Sequence, residues 1–265
     1  MSWTLLRATL RARRTSIMWY SVSLVAYSWL MTWFYPQIGG GQYAELIDNM
    51  PPEMLALFGG TEVDFATLGG YFQTEYLGLM WMLIVASAVI IFASKAFAGG
   101  IADGTMEFTL AQPVSRVRLA VTRVVALVGY IVLLAAASFA PIAIFGPTYD
   151  IELSAQTFWT LSAFGVLFML AVGGIAMLLS AMFRDGGRAG GIAAGVMGVL
   201  WVADLVSNVS EAAEVLDPVN LVTYWQPGKI INGDAVAPEA WWIYGIVGAA
   251  SLVAAVLVFR RRDVA

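Results

Sequence analysis

Six apolar runs, each long enough to cross a bilayer, constrain this chain more than any other feature of its sequence. A helix needs about 20 apolar residues to span the roughly 30 Å hydrocarbon core. Helices and closed barrels are the structures that satisfy every backbone hydrogen bond there. The runs therefore predict an all-α integral membrane protein with six transmembrane helices. Their approximate bounds are 16–36, 71–96, 119–146, 156–182, 189–209 and 240–259.

The composition supports this prediction and excludes several kinds of chemistry. Hydrophobic residues make up 60% of the chain and charged residues 12%, whereas soluble domains are about 25% charged. Cysteine and histidine are absent, which excludes disulfides, thiol catalysis, the usual zinc ligands and histidine general bases. The sequence contains neither a P-loop nor a hydrolase motif. We therefore expect no catalytic residue, no metal site and no cofactor in this chain.

The basic residues are distributed very unevenly around the six runs. With six spans, both termini lie on one side, and that side holds 13 of the 14 Lys and Arg residues. Cytoplasmic loops are enriched in Lys and Arg, so we expect both termini in the cytoplasm and only Lys229 outside. The 13 residues are Arg7, Arg11, Arg13, Arg14, Lys95, Arg116, Arg118, Arg123, Arg184, Arg188, Arg260, Arg261 and Arg262.

The first apolar run follows several arginines, as the core of a signal peptide does. It is too long and too aromatic for such a core, and no small-residue cleavage site follows it closely. We expect it to be retained as the first span of a multi-pass plasma-membrane protein. A basic inner face and an unprocessed start are typical of a prokaryotic membrane.

Two outer segments and the N-terminus carry patterns of their own. Residues 1–15 place arginines and apolar side chains on different helical faces, which indicates an interfacial helix or a simple charged anchor. Glycines and prolines in the first outer loop predict two short helices, around 42–50 and 52–58. Prolines and aromatic residues in 210–239 predict short re-entrant or surface helices.

The loop at 97–118 separates the second and third runs and is rich in charge. Residues 101–111 predict a short helix, and Pro113 ends it. Met106, Phe108 and Leu110 offer apolar surface beside the charges. A short helix that is both charged and apolar suits the docking of a soluble partner.

Four motifs in this order resemble those of the ABC-2 type permeases, the membrane subunits of a class of ABC exporters. Gly104-Thr105-Met106-Glu107 followed by residues 110–116, LAQPVSR, is similar to the family's "GTLE…LL-x-x-PVSR" signature. The other three are FRDGGRAGGIA at 183–193, the outer segment from Leu216-Asp217-Pro218 to Gly233, and FRRRD at 259–263. The resemblance covers nearly the whole chain, so we treat residues 1–265 as one transmembrane domain.

The resemblance implies a mechanism and a set of coupling residues. Two six-helix subunits, expected to be a homodimer, would form the path, and two ATPase subunits that bind ATP and Mg²⁺ would dock beneath them. The loop at about 101–116 would transmit ATPase movement. Glu107 and Arg116 are the strongest candidates for polar contacts with the ATPase. The alternative role of Arg116 is to add to the basic residues of the cytoplasmic side, and that of Glu107 is to cap a helix. The full set is Asp103, Gly104, Thr105, Glu107, Gln112, Pro113, Ser115 and Arg116.

One position departs from the family pattern. Many relatives carry a glutamate four residues before the glycine of the "GT" pair, where this chain has Gly100. If that acid seats the ATPase in relatives, then Asp103 or Glu107 takes its place here.

Within the runs, three glycines and two acids are further candidates. Gly187, Gly191 and Gly195 are four residues apart, a spacing that permits close helix packing within one subunit or between two. Glu75 and Asp204 lie toward the outer ends of their runs. Acids in a membrane are costly, which makes them candidates for a substrate or ion path, while access to water would satisfy them without any such role.

Three functions are compatible with these features. The first is a permease that exports a hydrophobic or amphipathic substrate, such as a drug or a lipid. The second is a membrane scaffold that regulates an ATPase without transport, and substrate-stimulated ATP hydrolysis would separate the two. The third is an ATP-independent secondary transporter or channel, against which stands the lack of paired intramembrane charges and of an internal repeat. None of the three involves nucleic acid.

Overall fold

The structure, a computed structural model, describes residues 3–38, 51, 54 and 67–262. Within these residues the chain forms helices and no strands. In chain order they are α1 (Trp3–Ala12), α2 (Arg14–Ile38), α3 (Leu68–Phe72), the π-helical turn π1 (Gln73–Leu77), α4 (Leu79–Ser94), the π-helical turn π2 (Lys95–Gly99), α5 (Gly100–Ala102), α6 (Thr105–Leu110), α7 (Arg116–Phe145), a 3-10 helix (Gly146–Tyr149), α8 (Ala155–Met182), α9 (Gly186–Ser207), a 3-10 helix (Glu211–Val219), α10 (Pro227–Asn232) and α11 (Pro238–Arg261).

Five helical stretches in this part of the chain are long and apolar enough to cross a membrane by length and composition. They confirm an all-helical protein with several membrane-spanning segments. Four of them agree with the predicted spans three to six within a few residues, and the fifth corresponds to span two. The stretches are Leu79–Ala102, Arg116–Tyr149, Ala155–Met182, Gly186–Ser207 and Pro238–Arg261.

The predicted first span is also a single long helix, α2, which has 25 residues. It does not reach the hydropathy of the other five, because Trp, Tyr and Ser are frequent along it. Its crossing of the membrane therefore stays a prediction, and so do the total of six spans and the cytoplasmic location of both termini. The predicted N-terminal helix is present as α1, and its place at the membrane surface is likewise a prediction.

The first membrane-length helical stretch begins later than the second apolar run of the sequence. The predicted bounds were 71–96, whereas the membrane-length stretch is Leu79–Ala102. The chain turns at Gly78, where ψ is −117°, and residues 73–77 form π1 rather than regular α-helix. A Cβ at Gly78 would lie 2.3 Å from the Gln73 carbonyl oxygen, so only glycine fits this junction.

Helix α8 occupies the centre of the fold, where it packs against α4, α7, α9 and α11. Its approach to α11 is close enough to require glycine. A Cβ on Gly174 would lie 2.9 Å from the Gly248 carbonyl oxygen. Gly173, one residue earlier, faces Val89 of α4 and Leu127 of α7 in the same way. These small residues let three helices pack directly on the α8 backbone.

An aromatic cluster fills the space between α4, α8 and the connection from α9 to α11. Trp81 is fully buried, and its ring stacks on Trp225 with centroids 4.5 Å apart. Phe164 and Phe168 of α8 also stack on Trp225, at 5.7 and 5.2 Å. The Trp225 indole donates a hydrogen bond to the Leu77 carbonyl at 2.7 Å. The segment 210–239 therefore inserts a large side chain into the bundle.

The remainder of that segment is tied to α3 and π1 by polar contacts. Gly228 donates its amide to Gln73 Oε1 at 2.9 Å, and Gly69 donates its amide to Asn232 Oδ1 at 2.9 Å. Short helices are present in 210–239, as predicted, and their depth relative to the bilayer stays a prediction. The two short helices predicted around 42–50 and 52–58 fall almost entirely outside the described residues.

Candidate functional site

The loop between α5 and α7 forms a short helix after a tight turn. Gly104 has φ of +70°, a left-handed conformation that glycine adopts without strain. It separates α5 from α6, so the helix predicted at 101–111 is divided into two pieces. Ser115 then begins α7 by accepting a hydrogen bond from the Arg118 amide at 3.2 Å, as an N-cap residue does.

Helix α6 is held by one side chain and presents another. Met106 is fully buried in the core, whereas Phe108 is 78% exposed. Leu110 is partly buried and packs against the same core. Of the three apolar residues predicted to offer surface, Phe108 alone projects fully from the fold. Phe108 is therefore the large apolar side chain that α6 exposes, while Met106 holds the helix to the core.

The exposed residues of the loop around Phe108 are mostly polar. They are Asp103, Thr105, Glu107, Ala111, Gln112, Pro113 and Ser115. Thr105 makes a long contact with the Gly100 carbonyl at 3.4 Å, and the Glu107 carbonyl accepts the Ala111 amide at 2.9 Å. These residues and Phe108 are all exposed in one short stretch of the chain, and together we call them the α6 surface.

Arg116 lies beside this surface but its guanidinium is used within the chain. It donates a hydrogen bond to the Arg262 carbonyl, at the end of α11. Arg262 in turn donates to the carbonyls of Ala181 and Phe183, at 2.7 and 2.8 Å. Burial and the nearby positive charge of Arg184 lower the pKa of Arg262 below its usual value. Arg116 therefore joins the start of α7 to the ends of α8 and α11.

A cleft of about 700 Å³ lies next to the α6 surface. Its walls come from the junction of α1 and α2, from π2, from the turn before α6 and from the start of α9. Arg13 and Arg123 both line it. The Arg13 guanidinium donates to the Phe92 carbonyl and lies 4.6 Å above the Phe92 ring. Burial lowers the pKa of Arg13 from its usual value, and Tyr130 acts in the opposite direction.

The wall formed by π2 is stabilised by hydrogen bonds to a serine of α8. Ser180 of α8 accepts hydrogen bonds from the amides of Phe97 and Ala98, at 2.9 and 3.0 Å. It also donates to the Ser94 carbonyl at 2.6 Å. Turns of π-helix inside α-helices occur frequently at functional sites, and this one brings small residues, Ala96 and Gly99, to the edge of the cleft.

The three glycines of α9 do not pack against other helices of the described chain. A Cβ added at Gly191 or at Gly195 would meet no neighbouring atom within 4 Å, and one at Gly187 would approach only the side chain of Asp185, at 3.1 Å. Helix α9 instead packs through Ala189, Ala193 and Met197, which are buried. The glycine stripe is left on the open side of the helix, and its role in a contact between subunits stays a prediction.

The two candidate acids lie in different surroundings. Glu75 is half-buried in π1, and its carbonyl accepts the Tyr27 hydroxyl at 2.7 Å. Asp204 is half-buried near the C-terminal end of α9, within electrostatic range of Asp217 and Tyr244. Each acid contributes to a separate part of the fold, and a common path through both stays a prediction.

Two features of the site escaped the sequence prediction. The sequence does not distinguish the exposure of Phe108 from that of Met106 and Leu110, because six residues are too few to show which face of a helix is buried. The cleft brings together Arg13 and Arg123, which lie far apart in the chain. The sequence shows only one sign that Arg123 has an unusual environment: it lies inside the third apolar run, beyond the first turn.

Comparison with known protein families gives one decisive match. The model of the family described as "ABC-2 family transporter protein" matches residues 11–264, nearly the entire chain. The chain belongs to this family. The resemblance inferred from the four sequence motifs is thereby confirmed. No curated protein matches the chain.

Membership gives the ABC-2 family chain a general role. It is a multi-pass membrane protein and a membrane component of a transporter, and catalysis is not a property of this component.

Proposed function

We propose that this ABC-2 family chain is the permease subunit of an ABC exporter that is driven by a separate ATPase subunit docked on the α6 surface. The observation that carries the proposal is the contrast between Met106, fully buried, and Phe108, 78% exposed. Buried Met106 fixes α6 to the bundle, so force applied to α6 reaches the transmembrane helices. Exposed Phe108 gains from burial in a pocket of the partner, by about 25 cal/mol for each Å² of apolar area.

The aromatic cluster supports a path at the surface of the subunit rather than through its centre. Trp81, Trp225 and Phe168 fill the space between α4 and α8. Helix α9 by contrast leaves Gly191, Gly195 and their apolar neighbours open. A second copy of the chain placed against α9 would enclose a path between the two subunits, as a homodimer.

The exposed face of α2 supports a hydrophobic or amphipathic substrate. A groove of about 400 Å³ on this helix is lined by Val22, Val25 and Trp29, with Phe145 at one side. Such a face accepts acyl chains or flat apolar rings, and Ser21 is the one polar residue among those that line the groove. Export from the cytoplasm or inner leaflet is the direction that we propose, in the plasma membrane of a prokaryote.

Purification from the native membrane tests the proposal. The tagged wild-type chain is expected to bring with it an ATPase that contains a P-loop, in equal amount. Phe108→Asp and Glu107→Arg are expected to lose this partner. Val219→Asp is the matched control, because Val219 is 74% exposed on a surface helix of the segment 210–239 and lies far along the chain from α6.

The outcome for each variant shows whether the ATPase docks on the α6 surface. Loss of the ATPase from Phe108→Asp but not from Val219→Asp supports docking on the α6 surface. Absence of any ATPase from the wild-type preparation in several mild detergents contradicts the proposal. Reconstitution with the recovered ATPase then tests transport, with a fluorescent phospholipid and a cationic dye as probes and with ATP-dependent movement as the expected result.

A further inference from the structure

The cleft beside α6 contains two arginines that the proposed coupling role does not use. Arg13 lies 4.6 Å from the centre of the Phe92 ring and Arg123 lies 5.8 Å from the centre of the Phe97 ring. Both side chains line the same cleft. The Nε atom of Arg123 is buried and has no hydrogen-bond partner in the described part of the chain.

No carboxylate among the described residues forms an ion pair with either arginine. Asp103 and Asp185 line the cleft. Asp103 is exposed in the turn before α6, and Asp185 uses its Oδ1 atom to accept the Arg188 amide at 2.7 Å. Arg13 donates to the Phe92 carbonyl and both guanidinium groups face an aromatic ring, but no carboxylate of the described residues neutralises either positive charge. A charge held partly out of water favours a partner of opposite sign. The two guanidinium groups therefore favour the binding of an anion in the cleft.

The remaining lining of the cleft suits a phosphate. Guanidinium groups bind phosphate oxygens through two parallel hydrogen bonds. Gly186 and Gly187 open the 22-residue helix α9 on the same cleft, and the first amides of a helix have no partner within it and attract anions. Thr9 and Thr15 add hydroxyl groups, and Lys95 adds a third positive charge at the rim.

The position of Arg123 matches the headgroup layer. It lies seven residues after the first residue of α7, Arg116, which is about 10 Å along the helix axis. Ile91, an exposed apolar residue of α4, lies at the edge of the cleft, and Trp19 and Val22 of α2 are exposed beyond it. A molecule with a phosphate in the cleft could therefore extend acyl chains along an apolar surface.

We propose that the cleft between the α1–α2 junction and π2 binds a phosphate group through Arg13 and Arg123, and that phospholipid of the cytoplasmic leaflet supplies it. The site does not depend on the ATPase partner and can be tested on the chain alone. A bound lipid would join α1, π2 and the start of α9.

The test measures lipid binding to the full chain purified in a neutral detergent. Native mass spectrometry and thermal melting are recorded with phosphatidylglycerol and with a galactosyl diacylglycerol of the same acyl chains, which has no phosphate. The variant is Arg13→Gln with Arg123→Gln. The control is Arg118→Gln with Arg188→Gln, which removes two exposed charges from the same end of the bundle without touching the cleft.

We expect one tightly bound phosphatidylglycerol on the wild-type chain and on the control, and affinity at least about tenfold lower for the cleft variant, which corresponds to about 1.4 kcal/mol. The galactolipid is expected to bind all three proteins equally weakly. Equal binding of phosphatidylglycerol by the cleft variant and the control would overturn the proposal.

Three further comparisons need no variant. Inorganic pyrophosphate is expected to displace phosphatidylglycerol from the wild-type chain, and failure to do so at any concentration overturns a phosphate site. Stabilisation of the wild-type chain by inorganic phosphate alone, with no added effect of the lipid, supports the phosphate site and assigns it to a soluble phosphate compound. Equal binding of the galactolipid and phosphatidylglycerol by the wild-type chain overturns the proposal.

Discussion

The Ser180 hydroxyl accepts a hydrogen bond from the Phe97 amide at 2.9 Å, and so joins α8 to π2, the π-helical turn that follows α4. The same oxygen accepts the Ala98 amide and donates to the Ser94 carbonyl. One side chain thus serves three backbone groups that the widened turn would otherwise leave poorly paired.

Ser180→Ala is expected to lower the free energy of unfolding by about 1–3 kcal/mol for each buried amide that it leaves without a partner. Thermal melting in detergent measures the loss. Ser23→Ala is the control, because Ser23 is exposed on α2 and its replacement should leave the melting temperature unchanged. Equal melting temperatures for both variants would show that π2 does not need Ser180.

Met106→Ala is expected to loosen α6 without altering its exposed surface. Truncation of a fully buried methionine costs about 2–5 kcal/mol, and the loss should be local because α6 is a short piece at the edge of the fold. Limited proteolysis should cut the loop at 103–115 faster in this variant than in Phe108→Ala. Comparable cleavage rates for the two variants would contradict the anchoring role of Met106.

Trp225→Phe separates the two contributions of the inserted tryptophan. The smaller ring keeps most of the stacking on Trp81 but loses the hydrogen bond to Leu77, which should cost about 1–3 kcal/mol through the unpaired carbonyl. Trp225→Ala should cost about 3–5 kcal/mol. Size-exclusion chromatography after heating measures both, with the exposed Trp159→Phe as control. A Trp225→Ala variant as stable as wild type would show that the inserted segment does not support the bundle.

Glycine substitutions distinguish contacts within one subunit from contacts between two. Gly174→Ala places a methyl group 2.9 Å from the Gly248 carbonyl oxygen, so we expect a marked loss of stability. Gly195→Leu enters open space and should leave the fold of one subunit intact. If the α9 stripe joins two copies, Gly195→Leu converts dimer to monomer by light scattering. A stable dimer in this variant would place the subunit contact elsewhere.

The absence of cysteine from the chain allows a direct test of the six spans. Single cysteines at Ala8, Ala111 and Asn208, all exposed, can be labelled in whole cells with a maleimide that does not cross membranes. We expect label on Asn208→Cys alone, with the other two reacting after the membrane is opened. Label on Ala8→Cys from outside would mean that α2 does not cross, and that the chain has five spans.

Helix positions could be predicted from sequence because hydropathy is a local property, and spans three to six illustrate this. The π-helical turns could not, since Gln73–Leu77 and Lys95–Gly99 have ordinary helix-forming residues and are stabilised by partners far along the chain, such as Ser180. The predicted first span shows the opposite limit: α2 is a regular helix, yet its aromatic residues lower its hydropathy below that of the five other long helical stretches.

The candidate site was predictable in part. The α6 segment was located by its charges and by its motif, since both are contiguous in sequence. The environment of each residue could not be predicted: Arg116 contacts the Arg262 carbonyl, and Arg13 and Arg123, more than a hundred residues apart, line the same cleft. Contacts of this kind depend on the packing of helices, which one sequence does not reveal.

The direct backbone contact of α8 and α11 at Gly174 and Gly248 has a mechanical consequence. Two helices that touch without intervening side chains cannot slide past each other without a steric clash. We therefore expect α8 and α11 to keep a fixed relative position within the subunit. Helices α2 and α9, which leave broad faces open, are the elements that have freedom to tilt. Any alternation between inward and outward states should therefore appear as movement of these two outer helices about a fixed central pair.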